Sequence, residues 1–227
     1  MNIDNYLDIE KWLKKMYIDS YDIHDDLTVD INGDVFLKGN IKYIPIQFGT
    51  VKGEFDCSGL EIKTLKGCPS IVYGTFSCNH NKLTSLQYAP EEVGGSFDCS
   101  HNKLKTLKGV STKIGGSLDC SYNLLTSMKY CPTLVRGILD CSYNNLTSFL
   151  FLPESIGNGL FIQKNKIIEK ELANFNSIVG GEIHTDLNSS TSHFLSRVKE
   201  TRVLLEKETL LNTVSAIEST FKKNKRI

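Results

Sequence analysis

One short period governs most of this chain. VKGEFDCSGLEIKTLKGCPSI, VYGTFSCNHNKLTSLQYAPEE, VGGSFDCSHNKLKTLKGVSTK, IGGSLDCSYNLLTSMKYCPTL and VRGILDCSYNNLTSFLFLPES follow one another without a gap, opening at Val51, Val72, Val93, Ile114 and Val135. Weaker copies open at Ile31, Ile156 and Val179, so the periodic region covers about 31–190. A unit of twenty-one residues cannot bury its own apolar face. It must stack on its neighbours, which makes the chain a solenoid with one shared core.

Numbering each opening residue as 0, apolar side chains recur at position 4 (Phe55, Phe76, Phe97, Leu118, Leu139) and cysteine recurs at position 6 (Cys57, Cys78, Cys99, Cys120, Cys141). Two residues apart means one face of a strand, so these thiols are expected to point into the core as small apolar groups, reduced and unpaired. Cys68 and Cys131, at position 17, are expected in the turn before the next strand. Asparagine at position 9 (Asn81, Asn102, Asn123, Asn144, Asn165) precedes apolar residues at 11 and 14. An amide turned inward there can bond backbone groups left over where the strand ends. Leu60 replaces it in the first strong unit, which predicts a local adjustment of that turn.

The spacing LxLxxNxLxxL, with cysteine in one leucine slot, resembles the leucine-rich repeat family, and S-x-N-x-L-T-S-L followed by proline is most similar to the compact bacterial repeats of the YopM and IpaH effectors. The resemblance implies an α/β-type repeat solenoid: an arc with a parallel sheet on its concave face, a helix-poor convex side and helical caps at both ends. With about six residues left before the next unit, often including Pro69, Pro90, Pro132 or Pro153, the convex side is expected to be extended or polyproline-like. Glycine at position 2 (Gly33, Gly53, Gly74, Gly95, Gly116, Gly137, Gly181) is expected to permit a tight approach to the strand.

Three segments follow: residues 1–30 as an N-terminal helical cap, 31–190 as the solenoid of about eight units, and 191–227 as a C-terminal helix with a basic tail. Tyr6, Ile9, Leu13 and Met16 lie at helical spacing within 4–17, and Phe194, Val198, Leu204, Leu205, Leu211, Val214, Ile217 and Phe221 form an apolar stripe in a stretch free of Gly and Pro. The basic and acidic residues balance at 26 each, so net charge gives no pull toward nucleic acid or anionic membrane. No apolar run approaches a membrane span and the N-terminus does not read as a signal peptide, which makes a cytoplasmic protein the expectation, in the host cytoplasm if the chain is phage-encoded.

Position 5 alternates with the core positions and should line the open sheet with Asp56, Ser77, Asp98, Asp119 and Asp140. Carboxylates directly opposed on a ladder repel, which either marks contact with a basic or hydrogen-bond-donating partner or reflects copying of the unit, at about a few tenths of a kcal/mol per screened pair. Ser100, Ser121 and Ser142 at position 7 and His80, His101, Tyr122 and Tyr143 at position 8 complete the expected contact surface. Such a mixture suits protein recognition. The Cys-x-His pairs Cys78 with His80 and Cys99 with His101 lack zinc-finger spacing and should face opposite ways, so no metal is expected. No catalytic residues are found and no cofactor is implied. The resulting expectation is a non-enzymatic module gripping a protein partner, plausibly a bacterial or phage host-directed effector, with the C-terminal helix as a second contact or homodimer seam. The alternative is a nucleic-acid accessory factor acting through Lys222, Lys223, Lys225 and Arg226, disfavoured along the sheet by its acidity.

Overall fold

A computed structural model describes residues 5–188 of the chain. Nearly all of them belong to one compact unit, Met1–Asp186. The expected C-terminal helix and the tail residues Lys222, Lys223, Lys225 and Arg226 lie outside the described residues.

The unit is a parallel β-solenoid. Positions 4 and 5 of every turn form a short strand, and these stack into an eight-stranded ladder from Val35–Phe36 through Phe55–Asp56, Phe76–Ser77, Phe97–Asp98, Leu118–Asp119, Ile138–Asp140 and Gly159–Phe161 to Glu182–His184. The register is strict, with Phe55 opposite Phe76, Phe76 opposite Phe97 and Phe97 opposite Leu118. The register follows from burial. A slip of one residue would turn the Phe and Cys side chains into solvent, whereas all five strong-unit Phe/Leu residues and their cysteines are 0% exposed.

The expected polyproline-like back of the coil is instead a second set of strands. Position 0 and the residue before it pair turn to turn in Thr28–Ile31, Gln47–Val51, Ile71–Val72, Glu92–Val93 and Lys113–Ile114, and again in Leu134–Val135, Ser155–Ile156 and Ile178–Val179. Their inward residues Val51, Val72, Val93, Ile114, Val135 and Ile156 close the core from the other side. Proline does not interrupt this pairing because it precedes each strand: Pro69, Pro90 and Pro132 are buried in the turn that leads into it.

Between the two ladders lies a corner at positions 1–3, where the glycines serve the tight passage expected of them and the group approached is the backbone of the neighbouring turn. None at position 2 has a positive φ. A Cβ on Gly74 would come within 2.7 Å of the carbonyl carbon and oxygen of Gly53 in the turn below. The corner is tight because backbone stacks directly on backbone, and Gly74 N–H donates to the Gly53 carbonyl at 2.9 Å.

At the N-terminal end, Tyr6–Lys15 forms a helix with Asn5 as N-cap, its side-chain oxygen accepting from Asp8 N at 3.0 Å. Ile9 and Leu13 are buried, and Trp12 packs on Phe48 with ring centroids 6.2 Å apart. Phe48 continues as an aromatic file through Phe55, Phe76 and Phe97 at centroid spacings of 5.2, 5.9 and 5.1 Å. Tyr21–Ile23 pairs antiparallel with Thr28–Ile31 beside this helix.

The asparagine column bonds as expected. Asn123 donates to the carbonyls of Cys99, Cys120 and Ser121 at 3.0, 3.2 and 3.1 Å and accepts from Leu104 N at 2.9 Å, so each amide ties its own turn to the preceding one. Asn81 faces the turn that lacks asparagine and accepts from both Leu60 N and Ile62 N, at 3.1 and 3.0 Å. That turn makes its adjustment with a second left-handed residue, Glu61 at φ 61°, two residues after Gly59 at φ 65°.

Candidate functional site

The strand at positions 4 and 5 ends at position 6, and the chain bends sharply at position 8, where His80, His101, Tyr122 and Tyr143 all hold φ between 51° and 52°. A left-handed residue swings its side chain away from the coil. Because the turns stack in register, the four rings lie over one another, with centroids 4.0 Å apart for His80 and His101, 4.2 Å for His101 and Tyr122, and 4.1 Å for Tyr122 and Tyr143. Their planes differ by 17°, 11° and 9°. The structure therefore brings the four position-8 residues together as one continuous, exposed ridge, with Tyr122 and Tyr143 about two-fifths exposed at 42% and 41%. Sequence spacing put them in one column; the face-to-face stacking comes from the left-handed bend and carries no periodic signal of its own.

Beside the ridge run the carboxylates of Asp56, Asp98, Asp119 and Asp140, all half-buried. Asp98, Asp119 and Asp140 are direct ladder neighbours. Each aspartate has a local task. The Oδ1 of Asp56, Asp98, Asp119 and Asp140 accepts from the backbone N–H two residues on, at Ser58, Ser100, Ser121 and Ser142, over 2.8–2.9 Å. This Asx-type bond caps the strand where the bend begins. It supplies a third reason for the column, alongside partner contact and copying. In the turn with Ser77 the place is taken by Asn79, whose amide donates to Ser77 Oγ at 3.0 Å and to Asp98 Oδ2 at 2.5 Å.

Ser100, Ser121 and Ser142 are buried at 5%, 4% and 3% exposure, so they do not form the contact surface expected of them. Their part is to hold the carboxylates. Ser121 Oγ and Ser142 Oγ donate to Asp119 and Asp140 at 2.7 and 2.6 Å. Burial raises the pKa of Asp119 above the ordinary carboxylate value, the hydrogen bonds from Ser121 oppose that, and Asp98 and Asp140 raise it further. On the ridge, burial and then the neighbouring His80 lower the pKa of His101, while a hydrogen bond with Tyr143 raises that of Tyr122.

An open groove of about 760 Å³ follows the ridge, lined by His80, His101, Tyr122, Leu124, Tyr143 and Lys164 among others. The position-6 thiols behind it are buried, and burial pushes Cys78, Cys99, Cys120 and Cys141 well above their usual range; at position 17 the half-buried Cys131 is pushed up to about 12. Cys78 is wholly buried and His80 exposed, because the chain bends at position 8 just past the strand. Such thiols stay protonated and unreactive.

Comparison of the chain with protein-family models, with curated proteins and with solved structures finds no match.

Proposed function

We propose that this solenoid is a non-enzymatic binding module that takes a protein partner along the ridge of His80, His101, Tyr122 and Tyr143 and the adjoining aspartates. The observation that carries the reading is the ridge itself: four stacked, solvent-facing rings beside a file of carboxylates, along one open groove. Rigid aromatic edges supply contact area at little entropic cost, and half-buried carboxylates add orientation toward Lys, Arg or backbone N–H groups of the partner. Stacking immobilises the rings before any partner arrives, which lowers the ordering cost of association.

On this reading the coil is a leucine-rich-repeat-like scaffold that presents the ridge along one edge. The resemblance of the repeats to those of bacterial effectors makes a host protein the partner class to test first. The test is capture from host lysate with the full chain against two variants, D98N/D119N/D140N and Y122S/Y143S, checked for folding by circular dichroism. Asparagine keeps an oxygen to accept the Ser100, Ser121 and Ser142 N–H groups, so charge is removed while the bend survives. Loss of the same captured protein in both variants supports the site; equal recovery by wild type and both variants refutes it.

A further inference from the structure

A second surface begins at the far edge of the ridge groove, at positions 10–16, where each turn passes from the asparagine column to the second ladder. Net charge of zero conceals it, because its members are scattered one or two per unit. Lys63, Lys66, Lys103, Lys105, Lys108 and Lys129 are all exposed there, and among the described residues none has an ion-pair partner. The one carboxylate within these positions of the five strong units, Glu61, pairs with Lys82 at 3.0 Å. At the border, Glu92 pairs with Lys113 while Glu91 and Glu154 sit on the approach to the next turn. Turns spaced about 4.8 Å apart place the six lysines within roughly 20 Å of one another, where neighbouring charges are not screened out.

The turn that carries them is built rigidly. The position-13 hydroxyls of Thr64, Ser85, Thr106, Ser127 and Ser148 accept from the N–H at position 15 over 3.0–3.3 Å. Position 17 N–H then bonds back to the position-14 carbonyl, as Cys68 does to Leu65 and Cys131 to Met128, both at 2.9 Å. Position 16 between them is left-handed in every strong unit. Two units fill it with Gly67 and Gly109, the residue that takes this conformation without steric cost. The other three fill it with Tyr88, Tyr130 and Phe151, at φ 71°, 76° and 66°, exposed by 53%, 51% and 60%. A large ring is strained there where glycine is not, yet about half of each ring's residue stays open to solvent. Lys129 Nζ lies 5.3 Å from the Tyr130 ring centroid, so cation and ring are presented together.

We infer that this lysine-lined turn face, with the outward rings of Tyr88, Tyr130 and Phe151, binds single-stranded nucleic acid, phosphates on the lysines and unpaired bases on the rings. A rigid row of cations calls for a polyanion. Exposed π-faces among the cations call for one whose bases are free to stack, which a duplex does not offer. Its lysines and rings are different residues from the aspartates and rings of the ridge.

The test uses the full chain and fluorescence anisotropy with labelled oligothymidine and oligouridine of about twenty nucleotides, titrated over salt. K66Q/K108Q/K129Q places at position 15 the residue that Gln87 already supplies, and Y88G/Y130G places at position 16 the residue of Gly67 and Gly109, so both sets use side chains this coil accommodates. A third variant, K222Q/K223Q/K225Q/R226Q, removes the tail charges. The expected results are binding by wild type and by the tail variant, a salt slope about 2 smaller in the lysine variant, and at least roughly thirtyfold weaker binding with an unchanged slope in the ring variant. No binding by wild type at low salt, an unchanged slope in the lysine variant, or undiminished binding in the ring variant would each overturn the inference.

Discussion

Replacing Asn81 with alanine should destabilise the coil more than replacing Asn123, although the two occupy the same position of their units and are buried alike at 7% and 6% exposure. The difference lies in what each amide leaves behind. The carbonyls that Asn123 serves have other partners: Cys99 O also accepts from Asn102 at 3.2 Å, Cys120 O from Asn144 at 3.0 Å and Ser121 O from His101 N at 3.1 Å. Only Leu104 N–H is orphaned. At about 1–3 kcal/mol for one buried unsatisfied donor, N123A should lose that much. Asn81 satisfies two donors, Leu60 N and Ile62 N, and is the donor to Cys57 O, which has no second asparagine to serve it, so N81A orphans three groups and should lose about 3 kcal/mol or more. Equilibrium urea denaturation followed by circular dichroism measures both. Equal losses, or a loss in N123A too small to detect, would refute the claim that these amides act by satisfying N–H groups of the preceding turn.

Further predictions follow from the same geometry. G74A should destabilise by about 1–3 kcal/mol through collision with Gly53, whereas G33A, with nothing within 4 Å of an added Cβ, should change the urea midpoint little. The raised pKa of Asp119 means that the folded state holds its proton more tightly than the unfolded chain, so this residue's contribution falls as pH rises through the range just above the ordinary carboxylate value. D119N keeps the acceptor for Ser121 N–H and should therefore be more stable than wild type at neutral pH, the gain vanishing in acid; a gain that persists at low pH would contradict the burial argument. All seven cysteines should react with a thiol reagent in denaturant, whereas in native buffer at pH 8 the six buried ones should not react promptly, and a count below seven in denaturant would reveal a disulfide.

Much of this architecture is legible in the sequence because the period is short and strict. Phe76 and Cys78 two residues apart could only be one face of a strand, and Asn81 three residues further on could only be turned inward among backbone groups. The second ladder left no such trace. Ile71–Val72 and its equivalents are two residues long, too short to show alternation, and the nearby prolines suggested an interrupted chain. The glycines and the tightness they serve were visible but the group they approach was not, since the constraint on Gly74 comes from a residue one turn away in space. The aspartates looked like surface groups because the bond from Asp98 to Ser100 N–H exists only once the strand ends in a bend. The lysine face was hidden by its scatter: Lys66, Lys108 and Lys129 are far apart in the chain and come within one or two turns of one another only when the turns are stacked, while the balanced total spoke only to the net charge.

Disulfide trapping along the ridge tests the in-register stack most directly. His101→Cys with Tyr122→Cys places two thiols on adjacent turns at a Cα separation of about 4.8 Å, within the range a disulfide spans, while His80→Cys with Tyr143→Cys places them three turns apart, at about 14 Å. The account predicts rapid intramolecular oxidation of the first pair and none of the second, read by intact mass under native conditions. Oxidation of the distant pair at the same rate, or of neither, would contradict it.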